Sequence, residues 1–368
     1  MKILLLSAYD TDSHRHWCQG LMNQLSEFEW EYLALPGRYF SWRIRGNPLS
    51  WGFGAERSRL LQHYDLVVAT SMVDLATIKG LFPNLANTPC VCYFHENQFA
   101  YPRSRDQHNS IEPQMVTLYG ALSAEAIWFN SEYNRSTFLA GVEELIRQMP
   151  DQTPKGLAER LQAKSQVIPV PISIECSESE TRSPHNESPR PFNVIWNHRW
   201  EYDKGPDTLV EVIRQCEELG LPIQFVIAGK RFRQIPKGFK ELMDKPSQNL
   251  IHIGTFENKT DYCHALRTSD VVLSTAVHEF QGLAMLEGAG YGCVPLAPDD
   301  LAYPEWIPEA LRYGTDNPVA ACVEKLSHWY HQGLPSTPNV APFEWRILSE
   351  QYKKSLMEVS QKRVTELC

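Results

Sequence analysis

The sequence predicts an α/β chain made of two doubly wound, Rossmann-like domains. Short apolar runs alternate with longer stretches of helical period, and they do so in two separate series. At 368 residues the chain is also too long for one ordinary core. A segment with no apolar periodicity lies between the two series.

The first series of expected strands is Lys2–Ser7, Glu31–Leu35, Leu66–Ala69, Cys90–Phe94, Ala126–Asn130 and Gln166–Pro169. The second is Phe192–Asn197, Ile223–Ala228, Leu250–Ile253, Val271–Leu273 and Val294–Ala297. Many of these runs are nearly continuous in apolar residues, as strands buried on both faces must be. Helical patterns between them, such as Asp207–Leu219 and Lys259–Arg267, supply the crossovers of parallel sheets. The segment from Glu175 to Pro191 is rich in Ser, Glu and Pro and reads as a linker. From Pro342 onward, Phe343, Trp345, Ile347, Leu348, Tyr352, Leu356 and Val359 have the spacing of an amphipathic helix. The expected division is 1–172, a linker over 173–191, 192–341, and a terminal helix over 342–368.

Composition narrows the class. Hydrophobic residues make up 43% and charged residues 21%, which fits a soluble globular protein and excludes collagen-like or wholly disordered chains. The formal charge is −9, so bulk charge does not draw this chain to nucleic acid. Residues 1–170 hold 15 basic and 17 acidic groups, while 171–368 hold 20 and 27. The one basic island is Arg38–Arg59, with five Arg against Glu56, interleaved with Tyr39, Phe40, Trp42, Trp51 and Phe53. It reads either as an RNA-binding patch or as a surface loop packed by its own aromatics.

The apolar run Ile3–Leu6 is too short for a secretory core and reads as a first strand. No run approaches the length of a membrane span. Nine cysteines without paired CxxC spacing suggest reduced thiols, no zinc site and a cytoplasmic location.

The sharpest motif is His278-Glu279-Phe280-Gln281-Gly282-Leu283-Ala284-Met285-Leu286-Glu287. If a helix begins at Gly282, its unpaired N–H groups and dipole form a pyrophosphate site, and glycine lets the phosphate come close. Glu287, about a turn further in, can accept hydrogen bonds from a ribose diol. Glu279 precedes the helix, where a transferred group would sit. The bland alternative is a buried helix with a loop glutamate.

A second motif follows the strand Phe192–Asn197, where Arg199 and Lys204-Gly205 enter a loop before the next helix. Two preorganised cations in an open cleft can neutralise a leaving diphosphate. Gly229 and Gly254 end strands and either line a nucleotide pocket or simply turn the chain. His95 ends another strand within the polar cluster His95-Glu96-Asn97-Gln98. Such a histidine is either a satisfied structural residue or a site residue, and its strand-end position favours the second. Arg103 and Arg105 follow in a loop and read as RNA contacts or as solvated charges.

Together these elements resemble the retaining GT-B glycosyltransferases, which include sucrose and glycogen synthases and many bacterial mannosyltransferases. Their signature E-G-F-G-L-P-x-L-E and G-x-P-V appears here as E-F-Q-G-L-A-M-L-E followed by Gly292-Cys293-Val294-Pro295, departing at Phe280, Gln281 and Ala284. A closer resemblance, to the tRNA-queuosine α-mannosyltransferases, is carried by Trp42-Arg43-Ile44-Arg45, Tyr93–Gln98, Phe129-Asn130-Ser131, Trp196–Glu201 and His278-Glu279-Phe280.

The resemblance implies two domains facing across a cleft, with the terminal helix crossing back to the first. It implies mannose transfer from GDP-mannose to the cyclopentenediol of queuosine in the tRNA-Asp anticodon, with no metal. His95, Arg199, Lys204 and Glu279 would serve the chemistry. Gly205, Gly229, Gly254, Gly282, Leu283 and Glu287 would hold the donor. Trp42, Arg43, Arg45, Glu96, Asn97, Arg103 and Arg105 would meet the tRNA. No membrane or protein partner is expected. Two other readings stay open: a retaining glycosyltransferase with a glycan or lipid acceptor, and a non-catalytic nucleotide- or tRNA-binding protein on the same scaffold.

Overall fold

The computed structural model describes residues 1–101, 110–174, 191–231 and 235–362. Most of the expected linker, over 175–190, lies outside the described residues, as do Arg103 and Arg105. The chain divides into two compact units, one formed by Met1–Pro171 with Trp345–Cys368, the other by Ile172–Glu344.

The first unit carries a six-stranded parallel sheet. Its strands are β1 (Lys2–Asp10), β2 (Glu29–Pro36), β3 (Leu66–Thr70), β4 (Cys90–Phe94), β5 (Ala126–Phe129) and β6 (Ser165–Val167), in the order β2-β1-β3-β4-β5-β6. Every residue of β3, β4 and β5 is buried, because helices cover both faces. The second unit carries β7 (Phe192–Asn197), β8 (Ile223–Ala228), β9 (Leu250–Gly254), β10 (Val271–Leu273), β11 (Val294–Pro298) and β12 (Arg312–Tyr313), in the order β12-β11-β10-β7-β8-β9. All eleven expected strands are present. The two-residue β12 has too little chain to show any period.

Both sheets reverse their winding direction at one place. In the first unit that place is between β1 and β3, and in the second between β7 and β10. At such a switch point the connections leave in opposite directions, and a crevice opens beyond the carboxyl ends of the strands. In the second unit these ends are Asn197 and Leu273, so the loops carrying Arg199 and Glu279 start side by side.

Six helices bear on the sites: α1 (Asp12–Gln24), α2 (Phe40–Gly52), α3 (Pro206–Glu218), α4 (Lys259–Thr268), α5 (Leu283–Gly290) and α6 (Trp345–Ser360). Helix α2 and the short helix Arg57–Leu60 occupy the basic island, which is helical rather than a loop. Its helical character is hidden in the sequence by Gly46 and Pro48, both poor helix formers. Proline has no N–H to give the Ile44 carbonyl four residues back. The buried Asn47 Nδ2 lies 3.2 Å from that carbonyl and 2.8 Å from Arg43 O. Helix α6 buries Trp345, Leu348, Tyr352, Leu356 and Val359 in the first unit, while Ile347, expected on the same apolar face, is exposed. There Trp17 Nε1 donates to Tyr352 Oη at 2.9 Å, and Tyr352 donates to the Pro169 carbonyl at 2.9 Å.

The seven described cysteines are buried thiols. Among the described residues no helix is long and apolar enough to cross a membrane.

Candidate active site

The second unit joins its two switch-point loops by hydrogen bonds. The Thr275 hydroxyl, after β10, is shared between the Lys204 and Gly205 carbonyls, each at 2.9 Å. Trp196 Nε1, on β7, donates to the same hydroxyl at 3.0 Å. The backbone N–H groups of Val277 and His278 both reach Asp203 O. Gly205 has φ +64 and caps α3, and a Cβ there would stand 1.9 Å from the Thr275 carbonyl. Only glycine lets the loops close this tightly.

This closure gathers a buried ion cluster. Lys204 Nζ donates to Glu279 Oε2 at 3.1 Å and to the His278 carbonyl at 3.0 Å, and lies 3.2 Å from Asp203 Oδ2. Glu279 Oε1 meanwhile accepts from the Phe280 N–H at 3.0 Å. Burial alone pushes the Glu279 carboxyl upward, but Lys204 and then His198 outweigh it and hold the group at about 2. Burial pulls the Lys204 ammonium down, yet Glu279 and Asp203 more than reverse this. His198 and His278 are pushed down to about 4, first by burial and then by Lys204, so both stay neutral near pH 7.

The two expected cations differ in their surroundings. Arg199 is half-exposed, at 48%, and pairs with Glu201 at 2.9 Å. Lys204 is only 8% exposed, which corrects the expectation of an open-cleft side chain. Its loop is folded under by the Thr275 contacts, and its three donor positions face three protein oxygens. Asp203 and Thr275 were not singled out from the sequence. Asp203 adjoins Lys204 in the chain, but its burial, at 2%, has no one-dimensional signal.

Gly282 has φ +82 and caps α5, which starts at Leu283 as the motif predicts. Glu287 lies one turn in, and its Oε2 accepts from the Tyr262 hydroxyl at 2.7 Å. Tyr262, on α4, in turn accepts from Asn197 Nδ2 at 2.9 Å. This relay was also absent from the sequence reading, because its three members lie on β7, α4 and α5. Beside it is a cavity of about 370 Å³ lined by Asn197, Gly229, Thr255, Phe256, Asn258 and Tyr262, among others. Gly229 follows β8 on its wall, while Gly254 closes β9 just before Thr255.

In the first unit, His95 follows β4 and is buried against Trp17, Tyr93 and His14, whose ring centroid is 4.1 Å away. Burial, and then His14, keep it well below the usual histidine range. Neither His95 ring nitrogen has a hydrogen-bond partner among the described residues. Glu96 is partly exposed, with Oε1 3.7 Å from His14 Nε2.

Asn97 requires a correction. It is fully buried, its Nδ2 reaches Asn134 and Thr137, and its Oδ1 accepts from the Phe99 and Ala100 N–H groups. Its amide holds the turn and has no capacity left for an acceptor.

On α2, Trp42 is half-exposed and Arg43 Nε donates to Pro36 O at 3.3 Å. Arg45 is matched by Asp74 at 2.7 Å and has Glu112 at 3.9 Å. Arg59 is matched by Glu31 and Glu56. The remaining cations of the island, Arg38, Arg43 and Arg57, have no acidic partner among the described residues, and Arg38 and Arg57 lie over the rings of Tyr39 and Phe53. Among the described residues no cluster of His, Cys, Asp and Glu has the form of a metal site.

The fold has solved relatives. Sucrose-phosphate synthase from Thermosynechococcus elongatus superposes with a TM-score of 0.69 at 12% identity, covering 97% of this chain and 98% of that one. HepE from Anabaena, solved with UDP and glucose, gives 0.66 at 14% identity, covering 97% and 99%. These likenesses identify the architecture as GT-B. A family model described as tRNA-queuosine alpha-mannosyltransferase N-terminal matches residues 2–172. The tRNA-queuosine alpha-mannosyltransferase of Drosophila melanogaster is 33% identical over 322 residues, covering 86% of this chain and 84% of that protein. Carried by that identity and by the paired strand-end loops of a GT-B fold, the chain is a glycosyltransferase and belongs to the tRNA-queuosine α-mannosyltransferase family.

Proposed function

We propose that this enzyme transfers mannose from GDP-mannose to the cyclopentenediol of queuosine in the anticodon of tRNA-Asp, retaining the sugar's configuration. The observation that carries the donor half is the Lys204–Glu279 pair, set at the switch point and followed by the capped start of α5. The first N–H groups of α5 are donors for a diphosphate. Arg199, half in solvent, supplies mobile positive charge for the departing GDP. Lys204 keeps Glu279 ionised, and that carboxylate holds sugar hydroxyls and stabilises oxocarbenium-like charge at the anomeric carbon. The acceptor hydroxyl attacks the face from which GDP leaves. The anomeric carbon–oxygen bond to phosphate breaks, the new glycosidic bond forms, and the acceptor proton passes to the leaving phosphate oxygen. No metal is required in this scheme, and no protein side chain becomes covalently bound.

The acceptor half is assigned to the first unit. Support comes from the family model over residues 2–172 and from the half-exposed Trp42 on α2, the helix that also carries Arg43. Anticodon bases are read by stacking and by arginine, which is the composition of this surface.

The test is incubation of the enzyme with GDP-mannose and bulk tRNA from a queuosine-containing strain, followed by nucleoside mass spectrometry. The expected product is queuosine carrying one hexose, formed with GDP-mannose and not with UDP-glucose. Hexose appearing on a glycan or lipid while queuosine stays unmodified would reject the acceptor assignment.

A further inference from the structure

We infer that Glu257 selects the base of the sugar nucleotide, and that the base it selects is guanine. The inference rests on the donor half of the function proposed above and adds a residue to it.

The cavity of about 370 Å³ lies beyond the carboxyl ends of β7, β8 and β9. Tyr262, on its wall, donates to Glu287 at 2.7 Å, so the cavity begins one hydrogen bond from the carboxylate assigned to the ribose. A base attached to that ribose has this space to enter. Phe256 supplies an apolar wall, its ring stacked on His252 at 4.2 Å and 6°. Aromatic walls of this kind suit the flat face of a base without distinguishing one base from another.

Discrimination needs a polar group at the base edge. Asn258 is committed to the start of α4, accepting from the Asp261 N–H and donating to the Asp261 carboxylate. Glu257 lines the same cavity, is exposed, and makes no hydrogen bond or ion pair with any described residue. An ionised carboxylate only accepts, and two parallel N–H groups satisfy it best. Guanine presents such a pair, N1–H beside the N2 amino group. Adenine and cytosine place a single amino donor beside a ring acceptor, and uracil sets its one N–H between two carbonyls. Glu257 therefore fits guanine in two contacts and repels the acceptor atoms of the other three.

Calorimetry on the full chain tests this with GDP, inosine diphosphate and UDP. Inosine diphosphate differs from GDP only by lacking the N2 amino group. The wild type is expected to bind GDP about tenfold more tightly than inosine diphosphate, the value of one charge-assisted contact, and UDP more weakly still. Glu257→Ala should bind GDP at least about tenfold more weakly and lose the preference for GDP over inosine diphosphate. Glu257→Gln, of the same size, should lose most of that preference too. If the wild type prefers GDP and Glu257→Ala keeps both affinity and preference, Glu257 is not the selector, while the GDP-mannose reading stands. If the wild type prefers UDP, the donor reading itself fails, and this inference with it.

Discussion

Lys204 Nζ lies 3.1 Å from Glu279 Oε2 and 3.2 Å from Asp203 Oδ2, so one buried ammonium is shared by two carboxylates from the two loops of the switch point. A buried pair adds little over a well-packed apolar replacement, but removing one partner strands the other in a poorly solvated place. Lys204→Met should therefore destabilise the second unit by about 3–5 kcal/mol. Adding Glu279→Gln to Lys204→Met should restore part of it. Urea denaturation of the single and double variants measures both values, and equal stability for Lys204→Met and wild type would deny the cluster any structural role.

Acid sensitivity follows from the same cluster. Glu279 titrates at about 2 in the fold against an ordinary 4.5, so its contribution is complete above 4.5 and is lost as pH falls toward 2. His198 and His278 titrate at about 4 against 6.5, and their neutral burial likewise favours folding above 6.5 and opposes it as pH falls toward 4. Stability should therefore begin to fall near pH 6.5, by up to about 1.4 kcal/mol per pH unit for each histidine. His278→Gln should flatten the slope between 6.5 and 4 and leave the step below 4.5. Unfolding free energy measured against pH decides it, and an unchanged slope would return the loss to other groups.

Arg199 is the cation with room to move, since it is half-exposed and pairs with Glu201 of its own loop. Arg199→Ala should lower turnover about a hundredfold or more, with little change in thermal stability. Steady-state kinetics with a melting curve on the same sample separates the two effects. A folded variant with wild-type turnover would withdraw the phosphate role.

Glu287 reaches its position through Tyr262. Glu287→Ala should weaken sugar-nucleotide binding by roughly 1.5–3 kcal/mol, as a charged acceptor is lost. Tyr262→Phe, which deletes one neutral donor to that carboxylate, should cost about 1 kcal/mol. Titration with GDP and with the intact sugar nucleotide gives both numbers. Wild-type affinity in Glu287→Ala would place the ribose elsewhere.

The indole of Trp42 lies on the backbone of α2, where a Cβ at Gly46 would meet ring carbons at 2.6 Å. Gly46→Ala should improve intrinsic helix propensity by about 1 kcal/mol. It should nevertheless weaken tRNA binding nearly as much as Trp42→Ala, because the ring is pushed off its seat and a stacking surface worth about 1–3 kcal/mol per base is lost. Arg43→Ala should reduce the log–log salt slope of tRNA affinity by roughly 0.7. Arg45→Ala should change the slope less, since Asp74 already matches that charge. Affinity measured across a salt series reads all four variants, and equal effects of Arg43→Ala and Arg45→Ala would contradict the charge assignment.

Much of the architecture was legible in one dimension. Parallel strands covered on both faces must be continuously apolar, and runs such as Cys90–Phe94 and Ile223–Ala228 stand out for that reason. The start of α5 at Leu283 was readable from Gly282, and the spacing of Glu279 and Glu287 across it is itself a sequence property. What the chain order hides is pairing. The sequence has five arginines in the basic island, yet Asp74, Glu112 and Glu31, drawn from distant elements, decide that Arg45 and Arg59 are matched. Asn97 looked like a polar site residue until Asn134 and Thr137 packed against it. Lys204 looked like an open cation until the loop after β10 brought Glu279 and the His278 carbonyl to its ammonium. Residue type and local period are carried by neighbours in sequence, so the strands and the motif were determined there. The charge left available to a substrate depends on which carboxylates the sheet order brings within a few ångströms, and only the tertiary structure decided that.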